Sequence, residues 1–402
     1  MFGLTWLSYA AYYLTRKNFS IVKTTLEEQL GVSPWMLGAI DTAYLGVYAA
    51  GQVISGGLGD RFGPRRVIGI GMLGSAAMAW LFGASSLPLM FLIAFGVNGL
   101  FQSTGWPNNV RAMEPWFGPA SRGKVMGFWC TNYTIGGAVA GVLATATLAR
   151  WGWRAAFFVP AAIVAAVGVA VLLFLIDRRD TPRDAETVPP PIDEVEGPAA
   201  ARAPLAALLV NPAVWALGLS YFGLKLIRYS LLFWLPSYLE HGAGFERGVA
   251  GYLSTFFEIG GVFGAIAIGW ASDRMVRAGH GRIRLLVPVL VALALALVLY
   301  DTVGSLGIFA NAASMALVGF LLFGPDALIS GAAAQDLGGR HATASAAGMI
   351  NGIGSLGALV QSFFTVWVSE TFGWRALFHV FVAMAALSAV ALLPLAWRRP
   401  AR

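Results

Sequence analysis

The apolar positions of this chain gather into long, nearly unbroken blocks. They do not form the short alternating runs of a half-buried strand. Twelve blocks reach membrane-crossing length, at about 2–25, 36–58, 67–86, 88–112, 124–149, 153–176, 209–238, 247–271, 283–302, 304–334, 343–370 and 374–397. A helix of about 20 apolar residues crosses the hydrocarbon core, and tilt absorbs the longer ones. The pattern predicts an all-α membrane protein. The polar positions between blocks carry a second signal. With both termini cytoplasmic, Arg61, Arg65, Arg66, Arg122, Lys124, Arg274, Arg277, Arg282 and Arg284 fall on that side, with most other loop arginines. The opposite side keeps only Lys23, Arg150, Arg154, Arg247 and Arg375. Such a bias sets orientation. The stretch from Asp177 to Pro204 changes character, with Arg178-Arg179-Asp180, Pro189-Pro190-Pro191 and several acids. It predicts a flexible cytoplasmic linker (177–208) joining an N-terminal six-helix bundle (1–176) to a C-terminal one (209–402).

The two halves repeat one another. Gly56-Gly57-Leu58-Gly59-Asp60-Arg61 recurs in the second half as Gly269-Trp270-Ala271-Ser272-Asp273-Arg274. Arg16 and Arg228 stand at almost the same separation. Trp151-Gly152-Trp153-Arg154 recurs, slightly further on, as Phe372-Gly373-Trp374-Arg375, and Gly127 and Gly348 share that second spacing. Landmarks in the same order at nearly one spacing imply duplicated halves, an arrangement that suits transporters with a site at the repeat interface.

Composition agrees and excludes other classes. Hydrophobic residues make up 57% of the chain and charged residues 12%, about half the share in soluble domains; mean hydropathy is +0.70. The net charge of +7 is accounted for by topology and does not point to nucleic acid. Cys130 is the only cysteine, so no intrachain disulfide forms. The first block has no basic leader and no small-residue cleavage site, so it reads as a span rather than a cleaved signal. No clustered Cys/His ligands, nucleophile triad or phosphate loop appears, so the chain reads as a non-enzyme without metal or cofactor.

The chemistry lies in charges placed inside spans. Four basic residues remain there: Arg16, Lys17, Lys225 and Arg228. A buried arginine costs at least ~2.5–3.5 kcal/mol on insertion scales, so something must compensate it. Tyr9 and Tyr13 precede Arg16 by seven and three residues, which puts all three on one helical face. Lys17 points about 100° away from Arg16, toward a cavity edge or an acid. Lys225 sits one turn before Arg228 and shares its face. Two arginines, one per half, ask for an anion, and guanidinium suits a phosphoryl group because its charge is permanent and its donors form a fork. Asp41, Glu258 and Asp326 are the acids within or near spans. Each is a candidate for proton coupling or for a structural ion pair with the arginines.

Two sets of motifs carry a family resemblance. Gly56-x-x-x-Asp60-Arg61-Phe62-Gly63-Pro64-Arg65-Arg66, with its partial copy at Gly269 to Arg274, resembles the major facilitator signature in the loops after the second and eighth spans. That resemblance implies two six-helix bundles and assigns Asp60, Arg61, Asp273 and Arg274 to an inter-helix latch whose strength changes between states. Tyr12-Tyr13-Leu14-Thr15-Arg16-Lys17-Asn18-Phe19, Gly105-Trp106-Pro107, Trp129 with Gly136-Gly137, and Gly324-Pro325 resemble the organophosphate:phosphate antiporter family. The region from Asp41 to Arg61 and Phe233-Trp234-Leu235-Pro236 are most similar to its sugar-phosphate exchanger branch. The resemblance implies a phosphate clamped by Arg16 and Arg228, a cavity lined by Tyr9, Tyr13, Tyr48, Trp106 and Trp129, and exchange of an organic phosphate for inorganic phosphate. Gln52 and Tyr133 stand where glycerol-3-phosphate members have a lysine and a histidine, so Tyr133 joins the lining with altered chemistry. The expected partners are small organophosphate anions, inorganic phosphate and the bilayer of a bacterial inner membrane; a monomer suffices. The rival readings are a proton-coupled organic-anion symporter and a non-transporting sugar-phosphate sensor.

Overall fold

The computed structural model describes residues 1–177 and 208–397; the interior of the expected linker and the basic C-terminal residues lie outside them. Every regular element among the described residues is helical. The first half holds α1 (Phe2–Tyr12), α2 (Asn18–Leu30), α3 (Pro34–Phe62), α4 (Pro64–Ala84), α5 (Pro88–Ser103), α6 (Gly105–Met113), α7 (Pro119–Trp129), α8 (Thr131–Trp151) and α9 (Ala155–Phe174). The second holds α10 (Pro212–Ser237), α11 (Arg247–Arg277), α12 (Ile283–Val303), α13 (Ile308–Ala327), α14 (Ala333–Phe372) and α15 (Trp374–Ala396). These elements occupy the twelve expected span positions. The first, fourth and fifth spans are each built from two helices in succession.

Eight of the span positions are apolar enough to cross a membrane by length and composition among the described residues. The first, second, fifth and seventh are helical but fall short of that measure. They are the positions that carry Arg16, Tyr48, Tyr133 and Arg228. Polar side chains inside a spanning helix are tolerated where they face protein or a polar cavity rather than lipid.

The starts of α3 and α10 carry side-chain N-caps, at Ser33 and Asn211. Ser33 accepts the Met36 N–H ahead of Pro34 at the first turn of α3, the pairing expected of an N-cap with proline behind it. The repeated Trp-Gly-Trp-Arg and Phe-Gly-Trp-Arg motifs have a backbone explanation. Gly152 and Gly373 sit at φ +81° and +83°, a region that a side chain disfavours. Arg154, next in the first copy, donates to the Gly83 and Ser85 carbonyls at 2.6 and 2.8 Å and to Ser86 Oγ at 2.7 Å. It thereby satisfies the open carbonyls at the end of α4.

Contacts divide the chain into two compact units, and the division does not follow the halves. Among the described residues, one unit comprises 1–116, 131–177 and 338–352; the other comprises 117–130, 208–337 and 353–397. Each unit thus adopts a short helical stretch from the opposite half. In the first unit the adopted stretch opens on a kink in α14, where Gly339 (φ 53°) and Ala342 leave helical geometry. Beyond it the backbone passes so near α3 that a Cβ on Gly56 would collide with the Ala344 carbonyl. In the second unit a Cβ on Gly269 would collide with the Gly123 carbonyl. Without a hydrophobic drive between helices in lipid, such close backbone packing is what holds them together. The first unit also has an aromatic core, with Phe82 stacked on Phe91 at 4.4 Å and on Phe157 at 4.2 Å.

The crossing at Gly56 yields a direct test. Gly56→Val should destabilise by about 1–3 kcal/mol through overpacking. Gly57→Ala should change stability by no more than about 1 kcal/mol, since nothing lies within 4 Å of the position of its Cβ. Thermal unfolding of the two purified variants in detergent reads the difference.

Candidate functional site

The first span breaks where its arginine sits. α1 ends at Tyr12, a 3-10 turn covers Tyr13–Thr15, Arg16 adopts φ −107° and ψ −49°, and α2 resumes at Asn18. A break inside a bilayer strands backbone carbonyls that need donors. Two side chains supply them. Gln102 Nε2 donates to the Tyr12 carbonyl at 2.9 Å, and Asn98 Nδ2 donates to the Thr15 carbonyl at 2.9 Å. Gln102 also reaches Thr15 Oγ1 at 2.8 Å and Ser75 Oγ at 3.0 Å, and Ser75 donates to Asn98 Oδ1 at 2.7 Å. Four buried side chains from α4, α5 and the turn thus close on one another around the break.

Arg16 is held on this frame. Its Nη2 donates to Gln102 Oε1 at 3.2 Å. Its guanidinium lies 4.8 Å from the Tyr13 ring, 4.9 Å from Tyr48 and 5.9 Å from Tyr44. Aromatic faces attract a cation, with about 2 kcal/mol or more when the pair is desolvated, but they carry no net charge. Among the described residues no carboxylate pairs with Arg16, and its buried Nε has no hydrogen-bond partner. The expected aromatic neighbours assemble behind it. Tyr9 meets Tyr13 edge-on at 6.0 Å and Trp106 at 5.1 Å, and Trp106 lies 6.4 Å from Tyr133.

Arg228 is treated differently. It is 9% exposed, and its Nη1 donates to Asp326 Oδ2 at 2.8 Å. Its guanidinium also lies 4.4 Å from the Phe323 ring and 5.8 Å from Tyr229. Asp326 is 1% exposed. It follows Pro325, and a π-helical turn over Leu328–Ala332 comes directly after, with Ser330 Oγ donating to the Asp326 carbonyl at 2.6 Å. Proline removes a helical donor, and π turns mark many functional positions. Lys225, one turn before Arg228, donates to Ser355 Oγ at 3.0 Å and lies 4.8 Å from the Tyr221 ring.

The acids and the remaining cations divide among separate roles. Asp41 pairs with Lys23. Glu258 is half-buried on α11. Lys17 is half-buried at the N-cap of α2, and its carbonyl accepts Ser20 Oγ. Trp129 is fully buried in the second unit, whereas the tyrosines around Arg16 belong to the first.

The repeated loop acids make matching contacts, one in each unit. Asp60, just past the second span (36–58), accepts the N–H groups of Ala344 at 3.1 Å and Ser345 at 2.8 Å. Asp273 accepts those of Gly123 at 2.8 Å and Lys124 at 2.7 Å. The acids stand at one of the two spacings of the repeat, and their donors at the other. Burial pushes the Asp60 carboxyl up from its ordinary value, while the Ser345 and Ala344 donors and Arg111 draw it back down. The arginines that accompany these acids are not the adjacent ones. Arg61 and Arg274 are exposed and lie against Phe62 and Trp270. Arg111 approaches Asp60 at 3.6 Å, and Arg282 reaches Asp273 at 2.6 Å and Asp336 at 2.7 Å. Arg122 also joins Asp336 at 2.9 Å.

Sequence reasoning missed Tyr44, Gln102, Asn98, Arg111 and Arg282. Tyr44 had a signal, since it precedes Tyr48 by one helical turn. Gln102 and Asn98 form an i, i+4 polar pair in the stretch from Pro88 to Gln102, which is otherwise apolar, and this could have marked the face of α5 turned toward the first span. Nothing local marks Arg282 as the partner of Asp273.

Comparison with known proteins accords with this geometry. The profile of the Major Facilitator Superfamily matches residues 5–362. Putative glycerol-3-phosphate transporter 1 of Arabidopsis thaliana is 31% identical over 97% of this chain and 86% of its own length. Sugar phosphate exchanger 3 of Homo sapiens is 31% identical over 98% of this chain and 92% of its own. The crystal structure of the human organic anion transporter MFSD10 superposes with a TM-score of 0.73 at 15% identity, covering 97% of this chain and 98% of that one. The family profile and the similarity along nearly the whole chain make it an integral membrane protein of the major facilitator superfamily, within its organophosphate:phosphate antiporter family.

Proposed function

We propose that the protein is a secondary active transporter that exchanges an organic phosphate for inorganic phosphate by alternating access. Arg16 and Arg228 are the phosphate-binding groups, with Lys225 and Lys17 adding positive field and the tyrosines around Arg16 forming the wall. One observation carries this reading. Arg16 is a guanidinium inside a span, faced by three tyrosine rings and an amide, with no carboxylate partner among the described residues. Such a group is stabilised by an anion brought from outside. The names of the relatives, a glycerol-3-phosphate transporter and a sugar phosphate exchanger, support a phosphorylated small molecule as that anion. No chemical step on the substrate is needed, so the protein acts as a carrier and not as an enzyme. The basic bias of the loops supports cytoplasmic termini, and the membrane we propose is a bacterial inner membrane. Asp60 and Asp273 act as latches that release and re-form as the two halves (1–176 and 209–402) move. The protein works as a monomer.

Radiolabelled phosphate exchange in proteoliposomes tests the reading. Wild-type protein should take up label into phosphate-loaded vesicles and not into empty ones. Uptake into empty vesicles driven by an inward proton gradient would instead establish the symporter.

Arg16→Gln should abolish exchange. Arg16→Lys should lower it roughly 10–100-fold, since a point charge loses one of two charge-assisted bonds worth about 1.5–3 kcal/mol each; initial rates read both. Tyr48→Phe keeps the ring face and should retain exchange within about threefold, whereas Tyr48→Leu removes the cation–π contact and should lower equilibrium phosphate binding by about tenfold. Asp60→Asn and Asp273→Asn each lose a charged acceptor of two N–H groups. Each should slow exchange about tenfold or more while phosphate binding stays within about threefold.

A further inference from the structure

We propose that Asp326 is a tethered competitor for the anion at Arg228, occupying the guanidinium when no substrate holds it and so setting the affinity of that half of the site. The inference rests on the phosphate reading above and deepens it. A buried carboxylate that serves only structure has its remaining lone pairs satisfied, because desolvation is otherwise too costly. Among the described residues the carboxylate of Asp326 does not. Asp326 meets Arg228 through a single contact, Oδ2 to Nη1 at 2.8 Å, although guanidinium and carboxylate can form two parallel bonds. The other oxygen, Oδ1, is buried and accepts no hydrogen bond among the described residues. Half of the carboxylate is thus desolvated without return.

The backbone that carries Asp326 is suited to re-aiming it. Pro325 on one side cannot donate into the helix, and the π turn over Leu328–Ala332 follows. Arg228, in contrast, stands in the continuous helix α10, with its guanidinium against Phe323. A phosphoryl oxygen can replace Oδ2 at Nη1 without moving the arginine, in a field already strengthened by Lys225 one turn away. Arg16 has no such carboxylate among the described residues. Apparent affinity falls in proportion to the fraction of protein whose binding group is available. If Asp326 holds Arg228 for about nine-tenths of the time, phosphate binding is about tenfold weaker than the bare site would give.

The test is equilibrium binding of radiolabelled inorganic phosphate to the full-length purified protein, with thermal unfolding measured in parallel. Asp326→Asn should tighten binding about tenfold. Asp326→Ser is the substitute should the amide variant fail to fold. Asp326→Glu, which keeps the charge, should not show the tenfold gain. Asp326→Asn combined with Arg228→Gln should lose the gain. Unchanged or weaker binding by Asp326→Asn or Asp326→Ser, beside measurable binding by wild type, would overturn the competitor and leave the phosphate reading standing. Phosphate binding by neither wild type nor these variants would overturn both.

Discussion

A permanent charge placed inside a membrane span is the constraint around which this protein is built. Arg16 cannot shed its proton and cannot reach water along a helix axis as a residue near the end of a span could. The chain answers by breaking the helix at that point. The break turns the arginine toward protein, and it exposes two carbonyls that α5 then satisfies with Gln102 and Asn98. The same Gln102 holds the guanidinium. Repair of the backbone and placement of the charge are therefore one device. Removing any member of the Thr15, Ser75, Asn98 and Gln102 cluster would leave a buried polar atom unsatisfied in a medium where that is most costly.

The second arginine obeys the same constraint by another route. Its helix stays intact, and its compensation is a full negative charge on Asp326. Two like charges left uncompensated would make an empty carrier unstable throughout its cycle. With Arg228 neutralised by its own unit, that burden falls on Arg16 alone. The halves are thus repeats in fold and unequal in electrostatics. The arginine of one unit is walled by aromatic rings, and that of the other is already engaged by a carboxylate.

The repeated loop acids show how duplication can hide in a fold. Each acid binds backbone donors from the opposite half of the sequence, yet each contact lies inside one compact unit. Glycine at Gly56 and Gly269 permits the approach, and the carboxylate then closes on two N–H groups. Such a contact is sensitive to small shifts, because charge-assisted hydrogen bonds weaken steeply with distance and angle.

Much of this was legible in the residues themselves. Apolar block length, the bias of arginines between loops and the spacing of the repeats determined an all-α membrane protein with twelve spans in two related halves. These signals are local or additive, since each block crosses lipid on its own account. The motif around Arg16 pointed to its aromatic neighbours, because residues one turn apart meet on any helix. The tertiary structure alone decided which acid pairs with which cation. Asp326 with Arg228, Asp41 with Lys23 and Arg282 with Asp273 could each have been drawn differently from a list of charges. It also decided that the first span breaks at Arg16 and that Gln102 mends it. Pairing across helices depends on which faces meet and at what height, and a one-dimensional pattern carries the period of a helix but not its rotation against a neighbour.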